Sequence, residues 1–221
     1  MPEVSPSKVP EVSAVPEVPE ARTERSRQKA DRRARLLRAA ARLFAERGFH
    51  GVSIEDLGAS VEISGPAVYR HFPNKDAVLA ALLIGVSERL LEGGCSVVAA
   101  AGDDEEALRR LVVFHTEFAL TEPELISVQG RDLPNLSAPA ARAVRRLQRE
   151  YVEIWVGVLT RLDPGLTVDE ARTRAHAVFG LLNSTPYSAR FPDDAATRAV
   201  LQTMAYAGLT IRLRRVGEGG D

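Results

Sequence analysis

The chain has 221 residues, of which 45% are hydrophobic and 27% are charged, and its formal net charge is −1. These values are typical of a globular protein, and no apolar run reaches the ~18 residues that a membrane-spanning helix needs. The N-terminus lacks the pattern of a signal peptide, and the single Cys95 excludes an internal disulfide. We therefore expect a cytoplasmic protein with no membrane partner.

The first forty residues change abruptly in character. Residues 1–21 are rich in Pro, Glu, Val and Ser, and this composition predicts a disordered tail because it cannot bury a core. Residues 22–42 then hold nine basic residues against two acidic ones. This basic stripe is either a solvated helix face or a nucleic-acid footprint, since phosphates attract positive charge over long distances.

Helix signals begin within the basic stripe. Apolar residues at helical spacing predict a first helix that ends at Gly48, which can adopt the left-handed conformation after a C-terminus. The segment SIED predicts a second helix, with Ser53 as its N-cap and Asp56 completing a capping box.

Two further helices follow without a long loop. The third begins at Ser64, with Pro66 close to its first position, where the missing N–H is harmless, and it stops before Pro73. Asn74 is predicted to cap a fourth helix, which the pair Gly93–Gly94 ends.

The remainder of the chain is also predicted to be helical. The segment DDEEALRR has the acidic start that a helix N-terminus prefers, and Thr167 with Glu170 forms a second capping box. The segment QGRDLPNL, residues 129–136, interrupts this half. Because no pattern of period two indicates a strand, we expect an all-α fold.

A very short helix that follows a tight turn is typical of a helix-turn-helix, whose second helix enters the DNA major groove. Arg70 and His71 can donate to phosphates or base edges, and Lys75 joins the free N–H groups of the next helix in offering an anion site. The predicted DNA-binding residues are Arg33, Ser53, Ser64, Gly65, Pro66, Ala67, Tyr69, Arg70, His71 and Lys75.

Residues 33–83 resemble the N-terminal domain of the TetR family of bacterial transcription regulators. The resemblance rests on LFAERGFHGVSIEDL and on the spacing S-x-x-x-x-Y-x-H-F-x-x-K, which begins at Ser64 and ends at Lys75. It implies an all-α homodimer, a double-stranded operator with two half-sites, and a C-terminal domain for effector binding and dimerisation. It also implies that Tyr69 and Lys75 contact the DNA backbone.

Two residues depart from the family pattern. Glu62 occupies a turn position that is usually Gly, and a positive φ there would cost about 1 kcal/mol. Gly58 replaces the usual Ala in the second helix, at a cost of up to ~1 kcal/mol in helix propensity. We expect Gly58 to allow the first helix to approach more closely.

The C-terminal half, by the same resemblance, should enclose an effector cavity. Its predicted lining residues are Phe114, Phe118, Arg131, Tyr151, Trp155 and Phe179, although aromatic residues and isolated histidines at such spacing are also typical of a core. Arg131 either pairs with Asp132 or faces an anionic ligand group. With QREYVEIW, this segment is similar to TetR-like regulators of lipid and acyl-CoA breakdown in actinobacteria. We predict a small hydrophobic or acyl-CoA-like effector, with an acyl-CoA or a fatty acid as the first candidate.

The sequence thus predicts three parts: a tail over 1–21, a helix-turn-helix domain with a basic N-terminal arm over 22–76, and a ligand-binding and dimerisation domain over 77–215. Helices over about 167–187 and 193–214 should form the dimer's four-helix bundle. The hypothesis is a ligand-responsive repressor, with the fourth helix as its lever. The alternatives are an enzyme that uses the cavity and a structural protein that binds DNA without an effector. No motif predicts a catalytic set, a metal or a cofactor.

Overall fold

Every regular element in the described part of the chain, residues 20–187 and 195–211, is helical, which confirms the all-α prediction. The computed structural model places nearly all of the predicted tail outside these ranges. The helices in chain order are α1 (Glu20–Arg47), α2 (Ile54–Ala59), α3 (Gly65–Val68), α4 (Lys75–Ala99), α5 (Asp104–Thr121), α6 (Pro123–Asp132), a 3-10 helix (Leu133–Asn135), α7 (Ala138–Leu162), α8 (Val168–Leu182) and α9 (Ala195–Thr210).

Helix α1 is longer than predicted. Its 28 residues include the basic segment that we had placed in an arm before the first helix. The physical reason lies in the sequence, because Arg, Lys, Gln and Ala favour helix and neither Gly nor Pro interrupts residues 20–47. Residues 26–33 of α1 are exposed, whereas Leu36, Ala40 and Phe44 in its second part are buried.

Helices α1 to α3 and the first half of α4 enclose the N-terminal core. The predicted caps at Ser53 and Asn74 are confirmed, and Gly48 ends α1 with φ 76°. Glu62 has φ 60°, so the turn between α2 and α3 does require the left-handed conformation from a glutamate. Gly58 makes room for this turn, because a Cβ there would lie 2.7 Å from the carbonyl oxygen of Ile63. The close approach that we expected from α1 comes instead from the turn.

Helix α4 continues past the glycines that we predicted to end it. It runs to Ala99, and Gly93 and Gly94 instead permit close packing of neighbouring helices. A Cβ on Gly93 would collide with the ring of Phe114, and one on Gly94 would lie 2.7 Å from the ring of Tyr151. Tertiary contact therefore overrides the local tendency of a Gly pair to break the helix.

Helices α4, α5, α7, α8 and α9 pack around a second core, with the fully buried Trp155 near its centre. Helix α8 ends at Leu182 and packs against α9, which also contacts α5. Of the two helices predicted to form a dimer bundle, over about 167–187 and 193–214, residues 193–194 and 212–214 lie outside the described residues. Among the described helices, none is long and apolar enough to cross a membrane.

Candidate functional site

The surface around α3 presents most of the residues that we predicted to contact DNA. Tyr69 is 52% exposed, and Ser64, Pro66 and Arg70 are exposed beside it. Gly65 and Ala67 are half-buried, and Val68 anchors the helix in the core. Tight turns continue the chain from Tyr69 to Phe72, so this short element offers its outer face to solvent.

Arg33 and His71 are held at the edge of this surface. Nη1 of Arg33 donates to the backbone oxygen of His71 at 3.1 Å, and its guanidinium lies 4.1 Å from the centre of the Phe72 ring. Burial, followed by the positive charges of neighbours that include Arg33 and Arg70, lowers the pKa of His71. His71 is therefore neutral at pH 7, and its buried Nδ1 has no hydrogen-bond partner among the described residues.

The two predicted N-cap serines behave differently. Ser53 accepts from the backbone N–H of Asp56 at 3.0 Å and donates to its carboxylate at 2.6 Å, so its hydroxyl is engaged within the cap. This bond lowers the pKa of Asp56. Ser64 occupies the N-cap position of α3 but makes no side-chain cap bond, which leaves its hydroxyl on the exposed surface.

Lys75, which we predicted to contact a phosphate, is engaged inside the domain. Its Nζ donates to the backbone oxygens of Phe49 and Val52, each at 2.8 Å, and lies 4.5 Å from the centre of the Phe49 ring. The half-buried ammonium group thus fastens α4 to the loop between α1 and α2. Its position after the turn at Phe72 suggested a DNA contact, but the fold points it towards these carbonyls.

A cavity of about 640 Å³ lies in the C-terminal half and is lined by residues of α4 to α8 and of the turn after α8. Its lining is mostly apolar, and it contains no Arg, Lys, Asp or Glu among the described residues. The lining residues that matter below are Phe118, Gln129, Tyr151, Phe179 and Asn183, together with His115.

The polar end of the cavity is built on His115, which is 3% exposed. Its Nδ1 lies 3.2 Å from the hydroxyl of Tyr151, and its Nε2 lies 3.1 Å from Oδ1 of Asn183. Burial lowers the pKa of His115 to about 4, so the ring is neutral at pH 7. Burial also raises the pKa of Tyr151, which keeps its hydroxyl protonated.

Six residues were predicted to line this cavity, and three of them do: Phe118, Tyr151 and Phe179. Trp155 lies one layer behind the wall, fully buried, with its ring centre 5.1 Å from that of Phe179. Phe114 packs over Gly93 on a different surface groove. Sequence reasoning had treated His115 as core and missed Asn183, which the turn after α8 brings to the histidine.

Arg131 does not reach the cavity that we predicted it to line. Its guanidinium donates to the backbone oxygens of Phe44 and Ala45 at the C-terminus of α1, and it pairs with Asp132 at 3.0 Å. This pairing raises the pKa of Arg131. The predicted contact between Arg131 and an anionic ligand group is therefore wrong. The guanidinium instead interacts with the carbonyl end of α1 and with the carboxylate of Asp132.

Asp132 and Asn135 also form hydrogen bonds with the loop after α1. The carboxylate of Asp132, 3% exposed, accepts from the backbone N–H of Phe49 at 3.5 Å. Asn135 lies 3.1 Å from Nε2 of His50. We call the contacts of Arg131, Asp132 and Asn135 with α1 and its following loop the α6 latch.

Comparison with known proteins places these features in a family. A family model described as bacterial regulatory proteins, tetR family, matches residues 36–82, and one described as a tetracyclin repressor-like C-terminal domain matches residues 101–187. The HTH-type transcriptional repressor KstR2 of Rhodococcus jostii is 29% identical over 132 residues. That match covers 59% of this chain and 65% of the relative.

Solved structures share the fold at lower identity. A TetR-family regulator from Bordetella parapertussis aligns with TM-score 0.72 and 24% identity, over 80% of this chain and 94% of that one. The regulator FadR from Bacillus subtilis, solved with stearoyl-CoA, aligns with TM-score 0.63 and 17% identity, over 80% and 97%. The two family models together span both halves of the chain, which therefore belongs to the TetR family of bacterial regulatory proteins.

Proposed function

We propose that this protein is a homodimeric transcription regulator that binds an operator through α3 and releases it when a small molecule occupies the helical cavity. The observation that carries the proposal is the α6 latch. Gln129 and Gly130 line the cavity, and the next two residues along α6 hold the end of α1. Four consecutive residues thus join the ligand site to the DNA-binding unit.

This connection supplies a mechanism for release. A ligand that favours a displaced α6 would move the carbonyl end of α1 and the loop that Lys75 also holds. Helix α4 begins at Lys75, which is bonded to the same loop, and its residues Ser87 and Leu90 line the cavity. Both α6 and α4 therefore act as levers between the cavity and the DNA-binding unit. The ligand need only bind the displaced conformation more tightly than the DNA-competent one.

Dimerisation through α8 and α9 agrees with the exposed apolar residues of these helices. Val200 and Met204 are 56% and 52% exposed, and their spacing of four puts them on one face of α9. Val168 at the start of α8 is 51% exposed. A dimer would bury these side chains and would set the distance between two α3 helices, which has to match a multiple of the DNA helical turn.

Selection from a pool of random DNA duplexes tests the DNA-binding function. We expect enrichment of an inverted repeat, and we expect none for a Tyr69→Ala, Arg70→Ala double variant whose melting temperature is unchanged. Recovery of no preferred sequence by the wild-type protein would contradict the proposal. Recovery of the same sequence by both proteins would place the DNA-reading surface elsewhere.

The latch is tested with Arg131→Met, because methionine keeps much of the side-chain length and removes the guanidinium donors. We expect the variant to bind ligand as the wild type does but to need more ligand for DNA release. Arg145→Met on the exposed surface of α7 is the matched control and should behave as the wild type. Equal release curves for all three proteins would contradict a role for the α6 latch.

A further inference from the structure

We infer that the cavity recognises a neutral, mainly apolar molecule that carries a carbonyl or similar acceptor, to which the side-chain amide of Asn183 donates. This ligand class concerns the same cavity and so rests on the proposed function. It replaces the acyl-CoA or fatty-acid effector that we had predicted from Arg131, whose guanidinium is committed to α1 and Asp132.

The first support is the lack of cationic side chains in the described part of the lining. No Arg or Lys lines the cavity among the described residues, and His115 at its polar end is buried and neutral. A carboxylate placed beside His115 would lose its hydration without gaining a cation from the described lining residues, which costs several kcal/mol. A neutral polar group pays much less, provided that it finds one hydrogen bond.

The second support is the direction of the hydrogen bonds around His115. A neutral imidazole has one donor and one acceptor nitrogen. Because Oδ1 of Asn183 can only accept, Nε2 of His115 carries the proton, and Nδ1 accepts from the hydroxyl of Tyr151. With Oδ1 of Asn183 bound to Nε2 of His115, the amide nitrogen of Asn183 makes no bond to the histidine.

The consequence is a pair of free donors on the cavity wall. Asn183 lines the cavity and is half-buried, and its amide N–H groups have no hydrogen-bond acceptor among the described residues. The hydroxyl hydrogen of Tyr151 is already committed to His115. Asn183 therefore places two free N–H donors beside His115, and a ligand acceptor at this point would satisfy them.

The third support is the shape of the remaining wall. Phe118 and Phe179 line the cavity with aliphatic residues that include Leu90 and Ile126. The rings of Tyr151 and Phe179 are nearly parallel, with centres 5.7 Å apart. Such walls favour a ligand with a flat or ring-containing hydrocarbon body.

The test uses three probes with the same body: biphenyl, 4-acetylbiphenyl and biphenyl-4-carboxylate, with decanoyl-CoA as the acyl-CoA comparison. Trp155 reports binding through its fluorescence, because it is the chain's one tryptophan and lies behind the cavity wall. We expect 4-acetylbiphenyl to bind about tenfold more tightly than biphenyl, which corresponds to one hydrogen bond. The carboxylate should bind more weakly than both.

Asn183→Asp tests whether the Asn183 amide is the donor to the ligand, since the substitution keeps an acceptor for His115 and removes the amide N–H groups. We expect this variant to lose the preference for the ketone over biphenyl. Gln129→Leu and Gln148→Leu each remove a rival side-chain amide from the same cavity, and both variants should keep that preference if Asn183 is the donor. The wild-type comparison of probes remains decisive if Asn183→Asp does not fold.

Tighter binding of the carboxylate or of decanoyl-CoA than of the ketone would overturn the inference, as would equal affinity for ketone and biphenyl or no binding of any probe. A preference that survives Asn183→Asp would also overturn the assignment of the donor. Duplex binding is measured without probes, so a failed ligand class is distinguishable from a failed regulator.

Discussion

Replacing Lys75 by Met should destabilise the DNA-binding unit and leave the electrostatics of DNA binding unchanged. The ammonium group donates to two backbone oxygens of the loop after α1, each at 2.8 Å, and lies over the ring of Phe49. Methionine preserves much of the side-chain volume but cannot donate. The two carbonyl groups would then have to find water at a half-buried site.

The size of the loss follows from these contacts. A hydrogen bond to a charged group contributes about 1.5–3 kcal/mol, and a cation–π contact at a partly exposed site about 0.5–1 kcal/mol. Because the site is half-buried, hydration recovers part of the total, and we expect the free energy of unfolding to fall by about 2–3 kcal/mol. In a chain of this length that lowers the melting temperature by about 5–10 °C.

Urea unfolding and DNA titration at several salt concentrations measure the two quantities separately. Arg70→Met is the comparison, since Arg70 is exposed on the proposed DNA surface. Arg70→Met should keep its stability and lose about two units from the slope of log affinity against log salt concentration, about one for each protomer of the proposed dimer. The reasoning is refuted if Lys75→Met shows that loss of slope with an unchanged free energy of unfolding.

Three further predictions concern stability. Burial lowers the pKa of His115 to about 4, so the unfolded chain binds a proton more readily than the folded one. Between pH 7 and pH 5 the free energy of unfolding, measured in urea, should therefore fall by about 2 kcal/mol more for the wild type than for His115→Gln. A similar loss in both proteins would count against a buried neutral histidine. Gly94→Ala should lower the free energy of unfolding by about 1–3 kcal/mol, because its Cβ would lie 2.7 Å from Tyr151. Gly85→Ala, with nothing within 4 Å of its Cβ, should raise it by up to ~1 kcal/mol. Equal effects of the two substitutions in calorimetry would contradict this. Glu62→Gly should raise the free energy of unfolding by about 1 kcal/mol and Glu62→Ala should not, because φ is 60° at this position, and a gain from both would point to charge instead of backbone strain.

The sequence by itself determined the features that depend on neighbours along the chain. Helical periodicity identified an all-α protein, and the side chains of Ser53, Asn74 and Thr167 capped the helices they were predicted to cap. The family resemblance marked Glu62 as a turn position that is usually Gly, and its φ of 60° agrees with that pattern. Each of these features is decided by hydrogen bonds and backbone angles within a few residues.

Only the tertiary structure decided where long side chains and close helix contacts lie. Sequence spacing gave no means of choosing between DNA and internal carbonyls for Lys75, or between the cavity and α1 for Arg131. Gly94 was predicted to end a helix, but its missing Cβ makes room for Tyr151, more than fifty residues later in the chain. Asn183 joined the site because a turn after α8 meets a histidine on α5. These partners are distant in sequence, and the energy of each contact depends on burial and direction that exist only once the helices are packed.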